Sequence, residues 1–164
     1  MRPPLAAPRS SRPNDVPAVL IEFEVLAAAP DDEARAAVER VASLGPVILL
    51  VSGTDLPATD RYLADPRISV TPAMWLPAGG GRAPGSSRGV DQAAAARLAQ
   101  IQADHDAAWL IATEPTLPTA RTCHRLRVIC VGPAPDSQDP TRPDHRAHSL
   151  LDAARFIETS EAFA

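Results

Sequence analysis

Five short apolar runs limit what this chain can fold into. They are Ala18 to Phe23 (AVLIEF), Val47 to Val51 (VILLV), Arg67 to Val70 (RISV), Ala107 to Ala112 (AAWLIA) and Leu126 to Val131 (LRVICV). Runs of this length with little polar alternation suit strands buried on both faces, the signature of a parallel sheet covered by helices. The segments between them supply those helices. Asp31 to Leu44 carries Ala34, Ala37, Val38, Val41 and Leu44 on one helical face, acidic residues at its start, and Gly45-Pro46 as a stop. Val90 to Ala103 aligns Val90, Ala94, Leu98 and Ile101, and Ser149 to Ile157 closes the chain as a helix. Shorter helices are expected over Thr59–Ala64 and Thr119–Arg125.

Strands alternating with helices predict a three-layer, Rossmann-like α/β domain with a mainly parallel sheet of five strands over residues 17–158. Residues 1–16 read as a disordered Pro/Arg-rich arm and 159–164 as a short tail. Residues 77–89 (PAGGGRAPGSSRG) and 133–143 read as loops. With 45% hydrophobic residues the chain can bury a core, and no run reaches the roughly 18 apolar residues of a membrane span. A net charge of −4 argues against a nucleic-acid surface. Cys123 and Cys130 show neither CxxC nor zinc spacing and read as buried thiols of a reducing, cytoplasmic compartment. All sixteen basic residues are Arg, none Lys.

In open α/β sheets ligands sit beyond the carboxyl ends of the strands. The first strand ends in Glu22-Phe23-Glu24. Two carboxylates two apart on a strand project the same way, suited to a divalent cation, to nucleophile and acid/base roles, or to simple solvation. The second strand ends in Ser52-Gly53, either a phosphate-binding hydroxyl with adjacent backbone N–H groups or an ordinary turn. Met74 and Trp75, beside the Gly-rich loop, read either as side chains packed against the sheet or as an exposed apolar anchor. His145 and His148, three apart near Asp144, read as surface histidines or as a metal pair without a third ligand.

The order of these pieces resembles the haloacid dehalogenase-like superfamily, mostly magnesium-dependent phosphatases. LIEFEVL matches the opening strand that ends in Asp-x-Asp, which implies Glu22 as nucleophile and Glu24 as general acid/base. VILLVSG matches the second motif and implies phosphate binding by Ser52 and Gly53. The third motif calls for Lys or Arg at the start of a helix, which leaves Arg88. LIATEPTLPTARTCHRLRVICVG aligns with the fourth motif, with Thr113 and Leu117 where metal-binding aspartates belong. Glu22, Glu24 and Glu114 are then the candidate Mg²⁺ ligands, with Asp55 a further retained acid.

The departures weigh against turnover. A longer nucleophile arm misplaces an attacking oxygen, and an error of about 1 Å can cost 10²-fold. Thr and Leu in place of two aspartates remove two hard oxygen anions from a magnesium site. Arg is a planar fork, not an ammonium. The segments after Glu24 and after Val70 are also too short for a cap domain. The expectation is a capless, catalytically impaired pseudophosphatase, a binding or regulatory module for a protein or a phosphorylated ligand. Its alternatives are a Mg²⁺-dependent phosphatase with Glu as nucleophile, and an assembly partner held by the Arg/Pro arm and the Trp75 loop.

Overall fold

The chain builds a six-stranded, all-parallel sheet with helices on both faces, in a computed structural model that describes residues 16–52, 56–76, 91–105, 107–134 and 141–164. The strands are β1 (Ala18–Glu22), β2 (Val47–Ser52), β3 (Thr71–Leu76), β4 (Ala108–Ala112), β5 (Leu126–Val131) and β6 (His145–Ala147). The helices are α1 (Phe23–Ala28), α2 (Asp31–Ala42), α3 (Leu56–Leu63), α4 (Gln92–Ala103), α5 (Leu117–Ala120) and α6 (Leu150–Ala162), with a 3₁₀ turn at Glu114–Thr116. Their order across the sheet is β3-β2-β1-β4-β5-β6, a Rossmann-like double winding. The direction of winding reverses between β1 and β4, so the central strand β1 sits at the switch point.

Alternation along β1 explains why the run is apolar throughout. Val19 and Ile21 enter the core under α2 and α6, while Ala18 and Leu20 enter the core under α4 and α5. β4 repeats the pattern with Trp109 and Ile111 on the first side and Ala108, Leu110 and Ala112 on the second. Small side chains let α2 and α6 approach closely, with Ala34 and Ala37 buried on one and Ala153 and Ala154 on the other. An Arg40–Glu158 ion pair, 2.7 Å, bridges the same two helices at the surface.

Several elements depart from the sequence reading. The sixth strand was not expected; it has three residues, His145-Arg146-Ala147, too few and too polar to show a period. The third strand lies at Thr71–Leu76 and not at RISV, because Thr71 pairs with Ile48 and the run extends from there. Its Pro72 had hidden it, but β3 is an edge strand, where proline is tolerated. After β4 the helical turns begin at Glu114 and end at Ala120, earlier than the expected Thr119–Arg125. Helix α6 runs five residues beyond Ile157 into the expected tail, since Glu161 on its last turn accepts hydrogen bonds from Trp109 and Arg127. Among the described residues no helix is long and apolar enough to cross a membrane. The Arg/Pro arm through Asp15 lies outside the described residues.

The turn from α2 into β2 requires Gly45. A Cβ there would lie 2.7 Å from Val16 Cγ1 and closer still to the Pro17 carbonyl oxygen, a backbone atom that cannot swing aside. We expect Gly45→Ala to cost about 1–3 kcal/mol, as other overpacked sites do. Urea unfolding of the two proteins measures it, and equal midpoints would mean that the Val16-Pro17 backbone shifts freely.

Candidate functional site

The structure draws the end of β1 into a side-chain cluster across the switch point. β1 stops at Glu22 and the chain turns directly into α1 at Phe23. The two carboxylates therefore stand on different elements and in different surroundings: Glu22, at the end of β1, is buried, 7% exposed, and Glu24, on the first turn of α1, is exposed.

Glu22 reaches across to the end of the neighbouring strand β4. The Thr113 backbone N–H donates to Glu22 Oε2 at 2.9 Å, and the Thr116 hydroxyl donates to Oε1 at 2.9 Å. The Thr113 hydroxyl lies 3.1 Å from Oε1 and 3.2 Å from Oε2, shared between them. Both carboxylate oxygens are therefore occupied by protein donors. The local sequence Thr113-Glu114-Pro115-Thr116 makes this possible. Pro115 fits the first turn of the 3₁₀ helix, where its missing N–H costs nothing, and the turn brings the two threonines onto one carboxylate. Burial pushes the Glu22 carboxyl up to about 7 from 4.5, the three threonine donors pull it back, and the negative charge of Glu24 adds to the rise.

The next acid is paired as well. Glu114 receives Arg146 Nη1 on Oε2 at 2.8 Å and Nη2 on Oε1 at 3.2 Å, a two-pronged contact from β6. The charge-assisted hydrogen bond to Glu114 raises the Arg146 pKa further above its ordinary value. Beneath this pair, on β5, lies the fully buried Cys130, whose thiol burial pushes up to about 12, with Glu114 adding to the effect. Such a thiol is inert.

A divalent ion at this edge would need anionic oxygens as ligands. Those of Glu22 are taken by threonine donors, those of Glu114 by Arg146, and Glu24 is exposed on α1. Among the described residues no three His, Cys, Asp or Glu side chains converge on one point. The described residues do not fit Mg²⁺. The chain matches no family model and no curated protein.

The remaining expected site residues are scattered. Ser52 is the last residue of β2, beside β1 in the sheet. Gly53, Asp55 and Arg88 lie outside the described residues. Leu117, at the second expected metal position, is buried in the core under α4. His145 does not face His148; its ring stacks flat on Phe156 with centroids 3.7 Å apart, while His148 is exposed. Met74 and Trp75 fall within β3, not in a loop. A cavity of about 130 Å³ lies away from Glu22, between α2 and α3, lined by Asp31, Arg35, Arg61, Tyr62, Asp65 and Ile68. Its Arg35 and Asp65 are bound to each other at 2.8 Å.

Sequence reasoning missed Thr116 and Arg146, while the thiols it expected to be buried, Cys123 and Cys130, are both buried. For Thr116 a signal existed. Thr-x-x-Thr just after a strand presents hydroxyls that bond locally to backbone or to a neighbouring strand end. For Arg146 none existed, because it meets Glu114 only through the pairing of β6 with β5.

Proposed function

We propose that this chain is a haloacid dehalogenase-like domain that has lost phosphate-ester hydrolysis and acts by binding a protein or a phosphorylated ligand. The observation that carries the reading is the engagement of both Glu22 oxygens by Thr113 and Thr116. An in-line nucleophile must bring a free oxygen to about 3–3.5 Å from the reacting atom. Glu22 reaches that state only by breaking its threonine contacts and exposing a buried carboxylate, both costly. Glu24, the expected acid/base partner, is exposed on the first turn of α1 while Glu22 is buried. The resemblance itself is supported by the strand order. Its motifs fall at the ends of β1, β2 and β4, and these three strands are neighbours. The place of binding in this reading is the open carboxyl edge at the β1/β4 switch point, where sheets of this type take their ligands.

The test is hydrolysis of para-nitrophenyl phosphate with MgCl₂ by the full chain and by Glu22→Gln and Glu22→Asp. We expect wild type and Glu22→Gln to match the buffer rate. Wild-type turnover that disappears in Glu22→Gln would overturn the reading. Turnover gained in Glu22→Asp would trace the loss to the added methylene.

A further inference from the structure

We infer that the strand ends of β1, β4 and β6 are cross-linked by a clasp of side chains, Glu22 with Thr113 and Thr116 and Glu114 with Arg146, in which the Arg146 guanidinium supplies the positive charge that a divalent ion would otherwise bring. The inference rests on the non-hydrolytic reading of this edge and gives it a structural cause.

Two observations carry it independently. Every carboxylate oxygen of Glu22 and Glu114 already has a protein donor, at 2.9 to 3.2 Å for Glu22 and at 2.8 and 3.2 Å for Glu114. No buried side-chain nitrogen or oxygen among the described residues lacks a hydrogen-bond partner, so no buried side chain of this cluster is left unpaired for an ion to satisfy. The clasp also ties β1, by way of its neighbour β4, to β6, which is not adjacent to either. Glu22 joins β1 to the loop after β4, and Arg146 joins that same loop to β6, across β5. A metal ion joins strand ends by sharing ligands among them, and here two side-chain contacts do so in series. A planar guanidinium grips both oxygens of one carboxylate, which an ammonium cannot do. In a chain with sixteen Arg and no Lys, this is the cation the composition provides.

Thermal unfolding of the full chain tests the clasp, with 10 mM MgCl₂ or MnCl₂ against EDTA. An ion bound only by the folded state would raise the midpoint, and by more the further its concentration exceeds its Kd. We expect the midpoint to move by less than about 1 °C, and a rise beyond about 2 °C would overturn the inference. The second arm compares wild type with Arg146→Met and Arg146→Lys in EDTA. Arg146→Met should unfold several degrees lower and Arg146→Lys in between, because a point charge restores attraction without the fork; three equal midpoints would overturn the clasp. Should Arg146→Met fail to fold, Arg146→Lys and the wild-type cation titration decide alone. A cation-driven rise without phosphatase turnover would sink the clasp and leave the non-hydrolytic reading. Turnover with a midpoint indifferent to Mg²⁺ would do the reverse.

Discussion

Relative to a Glu22→Gln variant, the wild-type protein is expected to lose roughly 3 kcal/mol of stability between pH 4.5 and pH 8. The carboxyl titrates at 4.5 when the chain is unfolded and at about 7 in the folded protein, because burial disfavours the charged form. Between those values the folded state holds a proton that the unfolded state has released. Stability from this group is therefore complete below 4.5, declines as pH rises, and is gone once pH has passed through about 7. Glutamine does not titrate, so the difference between the two proteins isolates this one group from every other. Asp65, held below its ordinary range by the Arg67 backbone N–H and by Arg35, acts in the opposite direction and only at pH values below this window. Urea unfolding of both proteins at half-unit steps of pH gives the two curves. Curves that stay parallel from pH 4.5 to 8 would mean that the Glu22 carboxyl titrates as it does in water, and the buried cluster with Thr113 and Thr116 would have to be abandoned.

The parts of the molecule that could be read in the sequence are those whose signal is local and repeated. β1, β2, β4 and β5 were legible because each is an uninterrupted apolar run, and α2, α4 and α6 because their apolar residues recur at helical spacing with acidic or capping residues at the start. β3 and β6 were misplaced or missed for opposite reasons. In β3 a proline masked a strand that its edge position permits, and β6 has only three residues, held by pairing with β5 rather than by any preference of its own.

The site divides along the same line. Glu22 was marked by its chemistry, a charged residue inside an apolar run. Its surroundings were not, because the change of backbone from strand at Glu22 to helix at Phe23 puts Glu24 on an exposed first turn while Glu22 stays buried. A sequence period of two and a helical start are both compatible with Glu-Phe-Glu. What settles the matter is tertiary. Val25 and Leu26 bury themselves in the core shared with α2, which the chain achieves only by turning helical straight after Glu22. The partners of Glu22 and Glu114 come from the turn after β4 and from β6, between 32 and 94 residues away in sequence. No local pattern encodes contacts of that separation.

Truncating Trp109 should have the largest effect of any single substitution considered, about 3–5 kcal/mol for Trp109→Ala. The indole is 3% exposed and is held on three sides. Phe156 of α6 meets it edge-on at 6.0 Å and 86°, the Arg127 guanidinium lies 3.9 Å from the ring centroid, and Nε1 donates to Glu161 at 2.7 Å. The same Glu161 oxygen accepts from Arg127 at 2.6 Å, so one carboxylate binds the ring, the cation and the last turn of α6 together. Alanine removes the packing volume and the donor at once and leaves Arg127 and Glu161 to pair in water, where an exposed pair contributes little. Trp109→Phe keeps most of the ring and loses mainly the Nε1 hydrogen bond, for about 1–2 kcal/mol. The location of the damage is as specific as its size. Amide hydrogen exchange in Trp109→Ala should accelerate first at Glu158 to Ala162, while the amides of β1 and β2 keep the protection set by global unfolding. A Trp109→Ala protein that loses less than about 1 kcal/mol, or whose α6 amides exchange no faster than those of β1, would show that the helix is held by its alanine contacts with α2 and not by this aromatic clamp.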